Sequence, residues 1–542
     1  MSARRFRQKR TACLDRIIQS VLSLLAKMTT MRTRCPMIAM DDACRIGLGL
    51  LLLSLFFGNC SHEALPGDKT TGTQPTGAWW KQDTAVTWSG LQDPAHDQWL
   101  GFVKEVGTTI CDRGIFYNDS TPPRSRARVA EYYHQRGLHV TSFLSIDKWK
   151  TDEQSLTRLI QLMRQQLDDG CDGIHLDMLF SVDEPKNSIG GTDAAVRAVV
   201  RMRDAVHDYP RQPQAIFAGN TWMLDTPFSL SVAKLCDIAW IESWGHSDLD
   251  LIRIARVARS LDGYSKPTWY HWQPHDNEQV RVQRLGNLPK ALYSSCMLEG
   301  AVFLCNYRYP VPLVHRDEAN RQVTQWQMFD INTRWQQSVL QYARFVKEHG
   351  DLLREAQPVA PVLVAFRPAQ VSLANRIMRD LLVADVAFNV VVCGTWPLAQ
   401  LEAKDLAGYQ AVVTPDVPWV QRAGGARVYD SATTLLATAE PEVRDFCRVQ
   451  GQSKVATRAF LKGPQMLVHL KQHGYTDQAD GVAVIGPLAL TLRCPRSIRT
   501  VTCFSPDRPG SAKLTFSQQG SQTTITVPLL EYYNLLVLDL KN

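Results

Sequence analysis

Two acidic residues in this chain end short apolar runs in a way that suits bond-breaking at the rim of a barrel. In Gly173-Ile174-His175-Leu176-Asp177 the run closes on a carboxylate, and Asp237-Ile238-Ala239-Trp240-Ile241-Glu242-Ser243-Trp244 repeats the pattern with Glu242 near its end. Side chains alternate along a strand, so His175 and Asp177 share one side, and an acid ending a buried strand must face water or an expensive desolvation. Paired carboxyls of this kind divide the work of glycoside cleavage: one stays ionised against the anomeric carbon and the other protonates the leaving oxygen. Asp177 is assigned the first role. Glu242, between Trp240 and Trp244, takes the second, because apolar neighbours favour a protonated carboxyl. The pair is expected within ~10 Å of each other in an open pocket.

Other strand-end residues would surround it. Asp112, Asp147, Asn220, Trp222, Trp244, His271, Trp272, Asn306 and Tyr307, together with His175, mix polar tips with aromatic rings, as a sugar site does. No CxxC or His/Cys cluster with zinc spacing occurs, nor a Gly-x-Ser-x-Gly, a phosphate-cradling loop or paired histidines on a helix face. Neither a metal nor a cofactor is expected.

The elements that would position these residues follow from periodicity. Short β-branched runs alternate with amphipathic stretches, the mark of βα units around a parallel sheet. Strands are predicted at 85–88, 108–117, 139–146, 173–178, 214–218, 238–243, 268–272 and 301–306, with helices such as 124–136, 153–167 and 193–207 between them. Eight such units fit a closed (β/α)8 barrel, whose catalytic groups sit at the carboxyl ends of the strands. A long helix over 326–355 follows, ended by Pro358 and Pro361. Strands at 361–366, 388–393 and 410–414, a helix at 373–383 and a fourth strand near 422–430 then form a second α/β unit. After about 481 the pattern becomes period-two, as in a small β-sandwich.

The domains therefore read as a signal over 1–60, a linker over 61–78, the barrel over 79–357, the α/β domain over 358–478 and the sandwich over 479–542. The net charge of +7 comes wholly from residues 1–59, which hold ten Lys or Arg against three acids. The neutral remainder argues against a nucleic-acid partner. Apolar residues 46–57 are too few to span ~30 Å of hydrocarbon and suit an export signal, with Met37 and Met40 as alternative starts. Of the nine cysteines after Cys60, those at strand starts, Cys171 and Cys236, read as buried thiols; Cys494 and Cys503 are close enough in sequence to be candidates for a disulfide.

Several resemblances sharpen these expectations. Phe57-Gly58-Asn59-Cys60 resembles a bacterial lipobox, which implies lipidation at Cys60 and a protein held at the cell envelope; secretion and an uncleaved anchor are the alternatives. Gly173 to Asp177 resembles the strand-four signature of the α-amylase superfamily, with His175 in place of its Arg. That family's acid follows strand five, where Asn220 stands here, so amylase activity is not implied. An acid after strand four and another after strand six is similar to the α-galactosidase clan and to family 114 glycoside hydrolases. The stretch 406–415, with 422–428 around Gly424 and Gly425, resembles the non-catalytic amidotransferase-like domain of family 42 β-galactosidases, which also precedes a small sandwich and implies a homo-oligomer. Cys393, in Val-Val-Cys-Gly, lies on no nucleophile elbow. The function expected is an exported glycoside hydrolase acting on a carbohydrate. The alternatives are a barrel that captures glycans without cleaving them and a hydrolase of another substrate.

Overall fold

The computed structural model describes residues 80, 86–88, 109–116, 123–146, 149–177, 179, 193–243, 247–272, 284–305, 308–316, 322–330, 333–353, 356–394, 397–423 and 427–541, and for 86–88, 112–116, 123–126, 243, 271–272, 302–305, 308–316, 322–330 and 333 it gives the backbone path. The chain divides into two units, Met1–Pro75 and Thr76–Asn542. The signal, Cys60 and the linker lie outside the described residues, and all the elements that follow belong to the second unit.

Eight parallel strands close into a barrel: β1 (Val86–Trp88), β2 (Ile110–Phe116), β3 (His139–Ser145), β4 (Gly173–Asp177), β5 (Ile216–Asn220), β6 (Ile238–Ser243), β7 (Thr268–Trp272) and β8 (Val302–Cys305). The last meets the first at Val86 and Leu304. Alternation separates two layers. Ile110, Ile216, Ala218, Ile238, Trp240 and Trp269 fill the interior, while Ile174, Leu176 and Phe217 pack outward against helices. Those helices are α1 (Pro123–His134), α2 (Glu153–Asp168), α3 (Asp193–His207), α4 (Pro227–Leu235), α5 (Asp248–Ser260) and α6 (Leu288–Leu298). In α2, Asp152 accepts the Ser155 N–H as N-cap, and Leu156, Met163 and Leu167 form the buried stripe.

The amino-terminal end of the barrel carries one device twice. Asp172 precedes β4; its carboxylate accepts the Val140 N–H at 2.8 Å and meets His134 Nε2, from the end of α1, at 2.7 Å. Asp237 precedes β6 and does the same with Phe217 N–H at 2.7 Å and His207 Nε2, from the end of α3, at 2.8 Å. The cysteines before them, Cys171 and Cys236, are buried, and burial pushes the Cys236 thiol up to about 12.

Beyond β8 the chain departs from the expected single helix. Residues 322–330 form a strand, β10 (Gln322–Asp330), antiparallel to β9 (Arg308–Arg316) over nine register pairs from Arg308–Asp330 to Arg316–Gln322. The closing helix, α7 (Thr333–Leu353), starts only after them. The apolar residues between 326 and 330 fit either period, and pairing with an upstream strand overrides helix propensity there.

Next come β11 (Gln357–Val359), which joins the last domain, and the parallel sheet of β12 (Val362–Phe366), β13 (Phe388–Val392), β14 (Ala411–Val413) and β15 (Arg427–Tyr429), in the order β13-β12-β14-β15 with α8 (Val371–Val383) packed on it. Gly424 and Gly425 lie outside the described residues. The sandwich holds β16 (Cys447–Val449), β17 (Val455–Lys462), β18 (Gln465–Gln472), β19 (Leu488–Arg493), β20 (Ile498–Phe504), β21 (Ser511–Lys513), β22 (Phe516–Gln519), β23 (Gln522–Val527) and β24 (Tyr533–Leu540). Its sheets, β11-β17-β18-β24-β20-β21 and β16-β19-β23-β22, close on a shared apolar core. The sandwich thus begins at Cys447 rather than near 479, because strands 447–472 pair with those after 488. Cys494 and Cys503 carry buried free thiols, so the candidate disulfide is absent.

A buried carboxylate ties the three domains together. Glu299, at the end of α6, is 1% exposed and receives Arg256 Nε at 2.9 Å and Arg256 Nη2 at 2.5 Å from α5, with Arg458 Nε of β17 at 3.3 Å. Arg256 and Arg458 also donate to the carbonyl of Phe388 in β13, at 3.3 and 2.6 Å. Arg259 donates to the carbonyls of Glu299 and Tyr264, and the Tyr264 hydroxyl donates to Val390 O at 3.2 Å.

Two outcomes follow. Glu299→Gln leaves the buried guanidinium groups of Arg256 and Arg458 without their anion and is expected to lower stability by about 3–5 kcal/mol in chemical denaturation, a loss under 1 kcal/mol refuting the role given to it. The hydrogen bonds that His134 and His207 donate to Asp172 and Asp237 raise the pKa of the two histidines, with burial opposing. Their contribution is complete below the unfolded histidine pKa and is lost as pH rises through the higher folded values. Stability should therefore fall as pH rises above the ordinary histidine value, and the His134→Gln/His207→Gln double variant should flatten that slope; an unchanged slope would remove these pairs as its cause.

Candidate functional site

The carboxyl ends of β4, β5 and β6 bring three inward side chains together. Asp177 ends β4, Asn220 ends β5 and Glu242 stands one residue before the end of β6. The register aligns them: Leu176 pairs with Gly219, and Asn220 with Trp240. The Asn220 amide nitrogen donates to Asp177 Oδ1 at 3.0 Å and to Glu242 Oε2 at 2.7 Å. Both bonds leave one atom, so those two oxygens lie closer than the bonds laid end to end, under ~6 Å, inside the window expected for a carboxylate pair. Glu242 is only 5% exposed, whereas Asp177 keeps part of its surface in water.

The amide is itself held. The Trp222 backbone N–H donates to Asn220 Oδ1 at 2.9 Å, which settles which end of the side chain carries the NH2. That turn is costly. Trp222 and Leu224 have φ of 56° and 54°, a left-handed conformation that bulky residues avoid. It is stabilised from both ends, by Thr221 N–H on Trp240 O at 2.9 Å and by the reciprocal Thr226–Ser229 capping box that opens α4.

Beneath the acids lies an apolar floor. His175 is fully buried one layer below Asp177, its ring edge-on to Trp240 with centroids 4.9 Å apart. It is therefore placed as packing under the pair rather than as a sugar ligand at the mouth. Asn220, also expected to bind sugar, is likewise fully buried with its amide on the carboxylates. Trp222 is half-buried beside them, as a stacking residue must be. Asp112 lies in β2 opposite Trp88, and His271 and Trp272 lie in β7 opposite Glu242 and Ser243. Asp147, Trp244, Asn306 and Tyr307 fall outside the described residues.

Three positioning residues escaped sequence reasoning. Trp149 donates its indole N–H to Leu179 O at 3.1 Å, pinning the chain just past Asp177. Lys471 of β18, with no exposed surface, reaches Asp248 Oδ2 at 2.5 Å, at the start of α5 and so at the far end of the loop after Glu242. Gly173 faces the interior so closely that an added Cβ would lie 2.3 Å from Ile216 Cγ1. None of these has a sequence signal, since each acts on a residue far along the chain. Among the described residues, no group of three or more His, Cys, Asp or Glu gathers as around a metal ion.

Fold and site define a (β/α)8-barrel protein with an acid pair at the strand tips and two further domains. Neither a family model nor a curated protein sequence matches the chain. Solved structures do. α-L-Fucosidase isoenzyme 2 from Paenibacillus thiaminolyticus matches with a TM-score of 0.58 over 85% of this chain and 100% of that one, at 10% identity. The GH42 β-galactosidase Gan42B from G. stearothermophilus matches with 0.56 over 85% and 98%, at 9% identity. The β-galactosidase from Rahnella sp. R3 gives 0.53 over 83% and 98%, at 10% identity. At such identities the likeness is one of fold.

Gly173→Ala should lower stability by about 1–3 kcal/mol through overpacking against Ile216. A variant melting within 1 °C of the parent would show that this layer has room.

Proposed function

We propose that the protein is an exported glycoside hydrolase that cleaves a carbohydrate with Asp177 and Glu242. The observation that carries the reading is the pair of carboxylates held on one amide at the end of the barrel where such enzymes work. The likeness of fold to a fucosidase and to β-galactosidases supports a sugar substrate.

The short separation favours the retaining course, for which carboxyls ~5–5.5 Å apart are typical, over the inverting one at ~6.5–9.5 Å. An Asp177 oxygen forms a bond to the anomeric carbon as the glycosidic bond breaks, and the Glu242 proton passes to the leaving oxygen. Water then loses a proton to Glu242 while its oxygen attacks the anomeric carbon and releases Asp177. The assignment follows exposure: Asp177 keeps part of its surface in water, whereas Glu242 is only 5% exposed. Trp222, and His271 and Trp272 beyond it, are the proposed sugar contacts, while lipidation at Cys60 would hold the enzyme at the cell envelope.

A panel of chromogenic glycosides tests this. Turnover should fall by ~10²–10⁴ in Glu242→Gln and by at least as much in Asp177→Asn, with sugar affinity retained, and product NMR should show the anomer of the substrate. Binding without turnover in the parent would instead identify a glycan-capturing barrel.

A further inference from the structure

We infer that Asn220 is a positioning residue for the acid pair, setting both its separation and its protonation, and that it is not a sugar ligand. The inference rests on the proposed role of Asp177 and Glu242 but is testable without it.

An amide NH2 has two hydrogens, and the two bonds at 3.0 and 2.7 Å use both. Its oxygen is taken by the Trp222 N–H. The side chain is fully buried, so the remaining lone pair of that oxygen is shielded from a ligand hydroxyl. Its position between two like charges has a definite effect. Carboxylates this close repel, and a hydrogen bond donated to each charged form offsets part of that repulsion. The same two bonds act as a spacer, because neither oxygen can move without lengthening its bond to a shared nitrogen.

The left-handed turn now has a purpose. A flipped amide would set its carbonyl oxygen against both carboxylates, and the Trp222 N–H at 2.9 Å disfavours that flip. The strain at φ 56° is local to the one backbone N–H that fixes the amide, which is where stored strain belongs in a functional site. Because that contact comes from the backbone, it is indifferent to the ring on Trp222, and glycine, which adopts positive φ freely, would preserve it.

The test reads protonation directly. Carbodiimide-driven coupling of glycine ethyl ester to Asp177 and Glu242, quantified by peptide mass spectrometry from pH 4 to 8, follows the protonated carboxyls of the full-length protein. In Asn220→Ser the midpoint of at least one carboxyl should rise by about one pH unit, the loss of a hydrogen bond to a charged group. Asn220→Asp, nearly isosteric and bearing a third acid, should raise it further. Unchanged midpoints in both Asn220 variants, with circular dichroism matching the parent, would overturn the inference. If one Asn220 variant misfolds, the other decides. Where a chromogenic glycoside is turned over, Asn220→Ser should lower kcat and shift the acid limb of its pH profile upward with KM little changed. A lowered kcat with an unshifted limb would leave a structural role alone. Shifted midpoints in a protein that hydrolyses no glycoside would keep the amide bridge and remove the hydrolase reading.

Discussion

The arrangement of the three domains depends on a single buried carboxylate. Glu299 sits where the barrel, the parallel sheet and the sandwich converge; its carboxylate meets the guanidinium groups of Arg256 and Arg458, and its backbone carbonyl that of Arg259. Such a cluster is poor evidence for stability, because desolvation offsets most of the attraction. Its N–H groups are therefore spread over carbonyls as well, those of Phe388, Glu299 and Tyr264, one or more from each side of the junction. Burial lowers the pKa of Arg259 to about 10 and pushes that of neighbouring His469 to about 3, so the histidine adds no further positive charge. What the knot supplies is specificity of docking, since any shifted arrangement would strand charge in an apolar interface.

That docking reaches the mouth of the barrel. The same apolar cluster runs from α5 and α6 through β12 and β13 to β18 and β24, so the sandwich is continuous with the outer wall of the barrel. Lys471 in that sandwich holds Asp248, at the start of α5. The two ends of the barrel show a division of labour common in this fold. At the amino-terminal end each carboxylate takes a backbone N–H and a histidine, and every bond stabilises. At the other end two acids are held together on one amide and a tryptophan is held left-handed, both of which cost stability.

Much of this was legible in the sequence. β6 and β7 match their predicted bounds, and Asp177 and Glu242 fall at the strand ends, because a closed barrel imposes a strict alternation on short buried runs. What was not legible depended on distant partners. The strand at 322–330 needs its upstream mate, and strands 447–472 need partners after 488 before they read as sandwich. His175 and Asn220 carry polar groups that suit a ligand, and only depth in the barrel shows that one is floor and the other spacer. Lys471 and Glu299 look like ordinary surface charges until the fold buries them.

The likeness to solved structures at about a tenth identity is one of fold, and the proposed chemistry rests on the site itself. A barrel hosts many reactions, so fold alone would leave the substrate open. The carboxylate separation narrows it, because two acids that close have few structural uses: they repel, and a cation or a shared donor must sit between them. Here the donor is an amide, which bonds to both acids without carrying a charge of its own. The strained turn and buried amide are thus most simply explained as the cost of keeping two acids both close and chemically distinct.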